Sequence, residues 1–214
     1  MLKVGVLISG RGSNLQSLIA ACTTPGFPAQ IACVISNKAD AKGLDHARAA
    51  NIPALVISHR DYTDRASFEA ALDATLEKHH IQLVCLAGFM RILTAWFTER
   101  WRDRLINIHP SLLPSFPGLD THQKAIDCGV RLAGCTIHFV RAEMDHGPII
   151  LQAAVPVLAD DDEDSLAARV LQAEHKAYPA ALRLIAENRV NVIEEKVFIS
   201  DATAPDAAFF NPKL

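Results

Sequence analysis

The chain opens on two contrasting patterns. Val4–Ile8 is an unbroken apolar run closed by Ser9-Gly10, as expected of a strand buried on both faces. Leu15, Leu18 and Ile19 then recur at helical spacing. The pair of patterns returns as a strand at 31–35 with a helix near 41–50, a strand at 54–57 with a helix near 64–80, and a strand at 81–86 followed by a loop and a helix near 94–101. Such alternation predicts an α/β fold of Rossmann-like type, a mostly parallel sheet with helices on both faces. In the 64–80 helix Phe68, Leu72, Leu76 and His79 share one stripe, and Thr63 or Asp64 is placed to cap it.

After a strand at 105–108 the pattern changes, because Pro110, Pro114 and Pro117 crowd a segment that can be neither helix nor central strand. A shaped loop is expected there. Strands at 135–140 and 149–157 flank a turn at Asp145-His146-Gly147-Pro148, and an amphipathic helix over about 163–187 should kink at Pro179. The tail from Asp201, with Pro205 and Pro212, predicts no regular element. No repeat or linker divides the chain, so residues 1–214 read as a single domain.

Composition narrows the function. With 21 Lys+Arg against 24 Asp+Glu the formal charge is −3, so there is no broad cationic surface for nucleic acid and any phosphate must be held locally. Cys22, Cys33, Cys85, Cys128 and Cys135 are odd in number and lack CxxC spacing, which argues against a disulfide framework and structural zinc and for a reducing, cytoplasmic setting. No other group has metal-ligand spacing, and Asp160–Asp164 reads as a solvated helix start. The uncharged stretch 12–37 is interrupted by Asn14, Gln16, Pro25, Gly26, Pro28 and Gln30, so it does not read as a bilayer span, and no signal peptide precedes it.

Two segments carry chemistry. Gly10-Arg11-Gly12-Ser13-Asn14 joins a buried strand to a helix start, where unpaired N–H groups and the positive end of the helix dipole suit an anion. A GxGxxG register from Gly10 would put Leu15 at the third glycine, and no Gly-Lys-Ser/Thr follows, so neither a dinucleotide nor a Walker loop fits. The plainer alternative makes Ser13 a helix cap and Gly10 a turn former. Further on, Asn107-Ile108-His109-Pro110 ends a strand, and alternation puts Asn107 and His109 on one side. They offer an amide donor for a developing oxyanion and an imidazole able to take and return a proton, the two requirements of acyl transfer. Asp145 is the candidate to orient the imidazole. Taken alone, His109 could be a structural hydrogen-bonder and Asp145 a turn former.

These segments, taken in order with Leu86-Ala87-Gly88-Phe89-Met90-Arg91-Ile92-Leu93, Ser111-Leu112-Leu113-Pro114, Pro117-Gly118, Ile137-His138-Phe139-Val140, Gly147-Pro148 and Gln152, resemble the phosphoribosylglycinamide (glycinamide ribonucleotide) formyltransferase family over about residues 3–190. The resemblance implies formyl transfer from 10-formyltetrahydrofolate, as co-substrate, to glycinamide ribonucleotide in purine (IMP) biosynthesis, without a metal. It implies a catalytic group of Asn107, His109 and Asp145, and contacts to glycinamide ribonucleotide from Gly12, Ser13, Asn14, Leu171, Gln172, Ala173 and Glu174. Folate contacts are implied for Arg65, Met90, Arg91, Ile92, Leu93, Asn107, Arg141, Ala142, Glu143, Met144 and Asp145. Residues 1–100 then form a phosphate-binding half, 101–190 a catalytic and folate-loop half and 191–214 a C-terminal extension, in a monomer or homodimer. Asp120 and His146 depart from the family's pattern. A methionyl-tRNA formyltransferase or formyltetrahydrofolate deformylase would carry an additional domain, after or before this one, and a chain running from its first strand to Leu214 is expected to be neither. A sugar-nucleotide formyl transferase is disfavoured by the phosphate turn. Outside enzymes, a phosphate- or nucleotide-binding module would share the sheet but not depend on Asn107, His109 and Asp145.

Overall fold

A computed structural model describes residues 1–203 and 208–212. Pro205 lies outside them. The strands are β1 (Leu2–Ile8), β2 (Ala29–Ser36), β3 (Ala54–Val56), β4 (Leu83–Leu86), β5 (Leu105–His109), β6 (Leu132–Phe139) and β7 (Ile149–Pro156). They form one seven-stranded sheet in the order β3-β2-β1-β4-β5-β6-β7. The helices are α1 (Ser13–Cys22), α2 (Gly43–Ala49), α3 (Arg65–Lys78), α4 (Ala95–Arg100), α5 (Thr121–Asp127) and α6 (Glu163–Ala186). Strands β1 to β5 run parallel.

The central strand explains the apolar run that opens the chain. Val4, Val6 and Ile8 point into one core with Leu15 and Leu18 of α1 and Leu166, Val170 and Tyr178 of α6. Leu7 points the other way, among Phe68, Leu72 and Leu76 of α3, Phe97 of α4 and Trp101. Both faces are therefore covered, as parallel strands require. Asp64 caps α3 by accepting from the Ser67 N–H at 2.7 Å. The buried Tyr178 hydroxyl reaches the Leu86 and Ile106 carbonyls at 3.0 and 3.3 Å, tying α6 to the two strands that lead into the site loops.

β6 and β7 are antiparallel to their neighbours. The 140–148 connection is too short for a parallel crossover, so a hairpin geometry is imposed. β6 also begins earlier than its apolar run suggests, because Gly134 conceals it. A Cβ at Gly134 would lie 1.9 Å from the Ala153 carbonyl oxygen across the ladder, so only glycine lets the two strands close. α5 lies just past the proline-rich loop, in a stretch with no expected helix. α6 continues as one element past Pro179 to Ala186.

α6 starts in a capping box. Asp162 accepts from the Ser165 N–H at 2.8 Å, and the Ser165 hydroxyl accepts from the Asp162 N–H at 3.0 Å. Beside it, Arg169 grips Asp161 at 2.6 and 2.7 Å and holds its carboxyl down at about 2. Asp162→Ala is expected to lower Tm by about 2–4 °C in thermal unfolding, through loss of the cap. After α6 the chain forms a two-stranded hairpin, β8 (Val190–Ile193) and β9 (Lys196–Ile199). Val190, Val192 and Val197 pack against the main core. No helix among the described residues is long and apolar enough to cross a membrane.

Candidate active site

The turn after β1 is built on close backbone approach. Gly12 has φ 78°, and a Cβ on it would fall 2.6 Å from the Cα of Gly43. α1 begins at Ser13 with Gly12 in the cap position, no side chain capping it and no acid in its first turn. Ser13 is thus a helical residue and not the cap, and the positive end of the helix is not neutralised from within. Asn14 does not offer its amide donor outward. Its Nδ2 donates to Glu174 Oε2 at 2.7 Å, while its Oδ1 is buried without a partner. Burial pushes the Glu174 carboxyl above its ordinary value, and the Asn14 hydrogen bond opposes this. The turn therefore presents N–H donors at its mouth, and deeper in it a pair of acceptors suited to a ligand hydroxyl or amine.

Asn107 and His109 share one face of β5. The register places His138 opposite Asn107 and Thr136 opposite His109. His138 donates from Nδ1 to the Phe139 carbonyl at 3.0 Å and receives the Asn107 amide at Nε2 at 3.4 Å. Desolvation lowers its pKa, with the Phe139 carbonyl opposing, which suits the neutral ring this pairing needs. His138 is packed within the strand, and it also aims Asn107. Only cross-strand register, which the sequence does not display, could have revealed that.

His109 is buried, and both its nitrogens face acceptors. Nε2 lies 3.0 Å from the Phe116 carbonyl, which can only accept, so it carries a proton; Nδ1 lies 3.5 Å from Asp145 Oδ1. Nδ1 thus faces a carboxylate, the acceptor that a proton on that nitrogen requires. The other carboxylate oxygen, Oδ2, accepts from the Gly118 N–H at 2.8 Å. Beneath, Thr136 receives the Leu113 N–H and donates to the Ser111 carbonyl, while Gln152 holds the Leu113 carbonyl, fixing the loop that follows His109. The route to Asp145 is less direct than a ligand site beyond the strand ends would imply. Because β6 is antiparallel, it exits at Phe139 beside Ile106, near the start of β5. The 140–148 loop arches back over the strand face to bring Asp145, itself at φ 53°, onto His109.

The other expected contacts divide. Met90, Ile92 and Met144 are exposed apolar side chains, 67%, 60% and 59% accessible. Ala142 and Glu143 are exposed and Arg91 half-buried, whereas Leu93 is packed in the α3–α4 core. The 90–93 loop is held at both ends: the Met90 N–H donates to the buried Ser9 hydroxyl at 2.8 Å, and the Thr94 N–H and hydroxyl donate to buried Glu69. Arg65 stands exposed at the first position of α3. Arg141 turns away from His109, toward Asp103 and Glu195, each at 2.6 Å. Consecutive residues of the helical run 171–174 point in different directions. Glu174 faces Asn14, Leu171 is half-buried, and Gln172 and Ala173 line a groove of about 420 Å³ against Leu151, Ala153 and Val155 of β7. Asp120, at φ 56°, starts α5 in a left-handed conformation that aspartate tolerates. His146 is exposed.

An amide and an imidazole thus share the β5 face of a mostly parallel sheet, with a carboxylate brought onto the imidazole from a loop. The chain belongs to the formyl transferase family, whose family model matches residues 2–182. It is 41% identical to phosphoribosylglycinamide formyltransferase of Haemophilus influenzae over 211 residues, covering 99% of this chain and 100% of that one. It is 52% identical over 192 residues to the human trifunctional purine biosynthetic protein adenosine-3, covering 90% of this chain but only 19% of that protein. The chain thus spans about a fifth of the length of that relative. Glycinamide ribonucleotide transformylase 1 of Symbiobacterium toebii superposes with a TM-score of 0.92 at 48% identity, covering 94% of this chain and 95% of that one.

Proposed function

We infer that the chain transfers the formyl group of 10-formyltetrahydrofolate to the amine of glycinamide ribonucleotide, yielding formylglycinamide ribonucleotide and tetrahydrofolate. The observation that carries this reading is the Asp145–His109 pair at 3.5 Å on the face that also presents Asn107. Both substrates find matching chemistry. The N–H groups at the start of α1 suit a phosphate, and Glu174 with the unpaired Asn14 Oδ1 suits the hydroxyls or amine of the ribonucleotide. Exposed Met90, Ile92 and Met144 suit a flat hydrophobic ring such as a pterin.

The neutral amine attacks the formyl carbon, leaving negative charge on oxygen and positive charge on nitrogen. Asn107, aimed by His138, and the His109 imidazolium donate to the oxygen. A proton passes from the attacking nitrogen to the departing folate N10 through His109 or a water, and the bond from carbon to N10 breaks. Asp145 holds the ring in its donating orientation. For His109 Nε2 to reach the reacting atoms it must leave the Phe116 carbonyl, so substrate has to displace that hydrogen bond.

Purified protein offered 10-formyltetrahydrofolate with glycinamide ribonucleotide, with initiator methionyl-tRNA, or with water alone should release tetrahydrofolate rapidly only with the ribonucleotide. Equal release with water alone would establish a deformylase instead.

A further inference from the structure

We propose that Glu195, at the tip of the β8–β9 hairpin, and Arg141, at the base of the 140–148 loop, form a brace that sets the path of that loop over the active-site face. It rests on the formyl-transfer reading of that face. Glu195 is a positioning residue and touches no substrate. Three separate segments meet on one guanidinium. Arg141 Nε donates to Glu195 Oε2 at 2.6 Å, its Nη2 to Asp103 Oδ1 at 2.6 Å, and its Nη1 to the Val140 carbonyl at 3.2 Å. Arg102 donates to the other oxygen of Glu195. The Arg141 side chain is only 10% accessible, although it lies at the protein's edge. A planar, rigid fork held by acceptors on different segments fixes direction as well as distance, unlike a lone surface ion pair.

The hairpin supplies an independent observation. Its two turn residues, Glu194 and Glu195, have φ of 48° and 58°. Two-residue hairpin turns of this hand favour Asn and Gly, and glutamate there is disfavoured unless its surroundings hold it. At Glu195 the surroundings are Arg141 and Arg102. The brace matters because of where it sits. The Val140 N–H donates to the Leu105 carbonyl at 2.9 Å, so the loop leaves the sheet at the start of β5 and must arch back to deliver Met144 and Asp145. An error in the direction of exit is carried forward to Met144, whereas Asp145 has a second hold in the Gly118 N–H at 2.8 Å.

The test is a double-substitution cycle in the full chain with Glu195→Gln, Arg141→Gln and the pair, each measured for kcat, for both KM values and for amide exchange over residues 141–147 in the free protein. Glu195→Gln should raise the KM for 10-formyltetrahydrofolate by roughly tenfold, the scale of one lost charge-assisted contact. The KM for glycinamide ribonucleotide and kcat should stay within about twofold, loop exchange should quicken, and the pair should cost no more than Arg141→Gln alone. Glu195→Asn, which suits the turn but is too short for the contact, should behave like Glu195→Gln. Unchanged loop exchange would overturn the brace, as would quickened exchange with an unchanged folate KM, or strictly additive effects. Parent protein that transfers no formyl group would instead defeat the functional reading, with the exchange measurement still deciding whether the brace holds the loop.

Discussion

Replacing His109 with alanine is expected to lower kcat by about 10²–10⁴-fold while the protein still unfolds cooperatively. The imidazole is buried and bonded on one side to the Phe116 carbonyl, on the other paired with Asp145. Removing it deletes the group that carries the proton and one donor to the developing oxyanion. It also leaves a carbonyl and a carboxylate short of a partner, although Asp145 keeps the Gly118 N–H. That shortfall costs about 1–3 kcal/mol of stability, or a Tm lower by roughly 2–4 °C for each kcal/mol. Single-turnover rates with both substrates saturating isolate the chemistry from binding. Asn107→Ala should cost about 10²–10³-fold, as for loss of a single oxyanion donor, with the KM values largely preserved. A folded His109→Ala protein with a near-parent single-turnover rate would falsify the proton-carrying role.

Much of this arrangement can be read along the chain, and the exceptions have physical causes. The parallel half is legible because strands buried on both faces leave continuous apolar runs, and Val4–Ile8 is one. Asn107 and His109 are legible because strand alternation is strictly two-fold. The partner of each is not. His138 meets Asn107 through antiparallel register, and nothing local to either residue specifies that register. The arching path of the 140–148 loop depends on the direction of β6, which an α/β alternation does not predict. The β8–β9 hairpin escapes notice because its tip is Glu194-Glu195 instead of the Asn-Gly that marks such turns, and the partner of Glu195, Arg141, lies far away in sequence. Gln172 and Ala173, beside Glu174 in sequence, line a separate groove because consecutive helical residues diverge.

Gly147→Ala is expected to lower kcat by about 10²-fold, although Gly147 touches none of the reacting groups. Residues 147 and 148 close the loop against β6, where the Phe139 N–H donates to the Pro148 carbonyl at 2.9 Å. A Cβ at Gly147 would stand 2.0 Å from the Phe139 carbonyl oxygen and 3.3 Å from Arg141 Cγ. The first contact is with backbone, so it can be relieved only by moving the loop away from the strand, by about 1 Å or more to reach ordinary van der Waals separation. Asp145 lies two residues before Gly147 and takes its position in part from this closure, and a displacement of about 1 Å in a positioning group can cost about 10²-fold in rate. Overpacking should also lower stability by about 1–3 kcal/mol, visible in denaturant unfolding. The two effects separate on adding substrate, since binding of both ligands restores stability by mass action but cannot restore the aim of a displaced carboxylate. An alanine variant with parent kcat would mean that the loop yields elsewhere and that the Asp145 position does not depend on this contact.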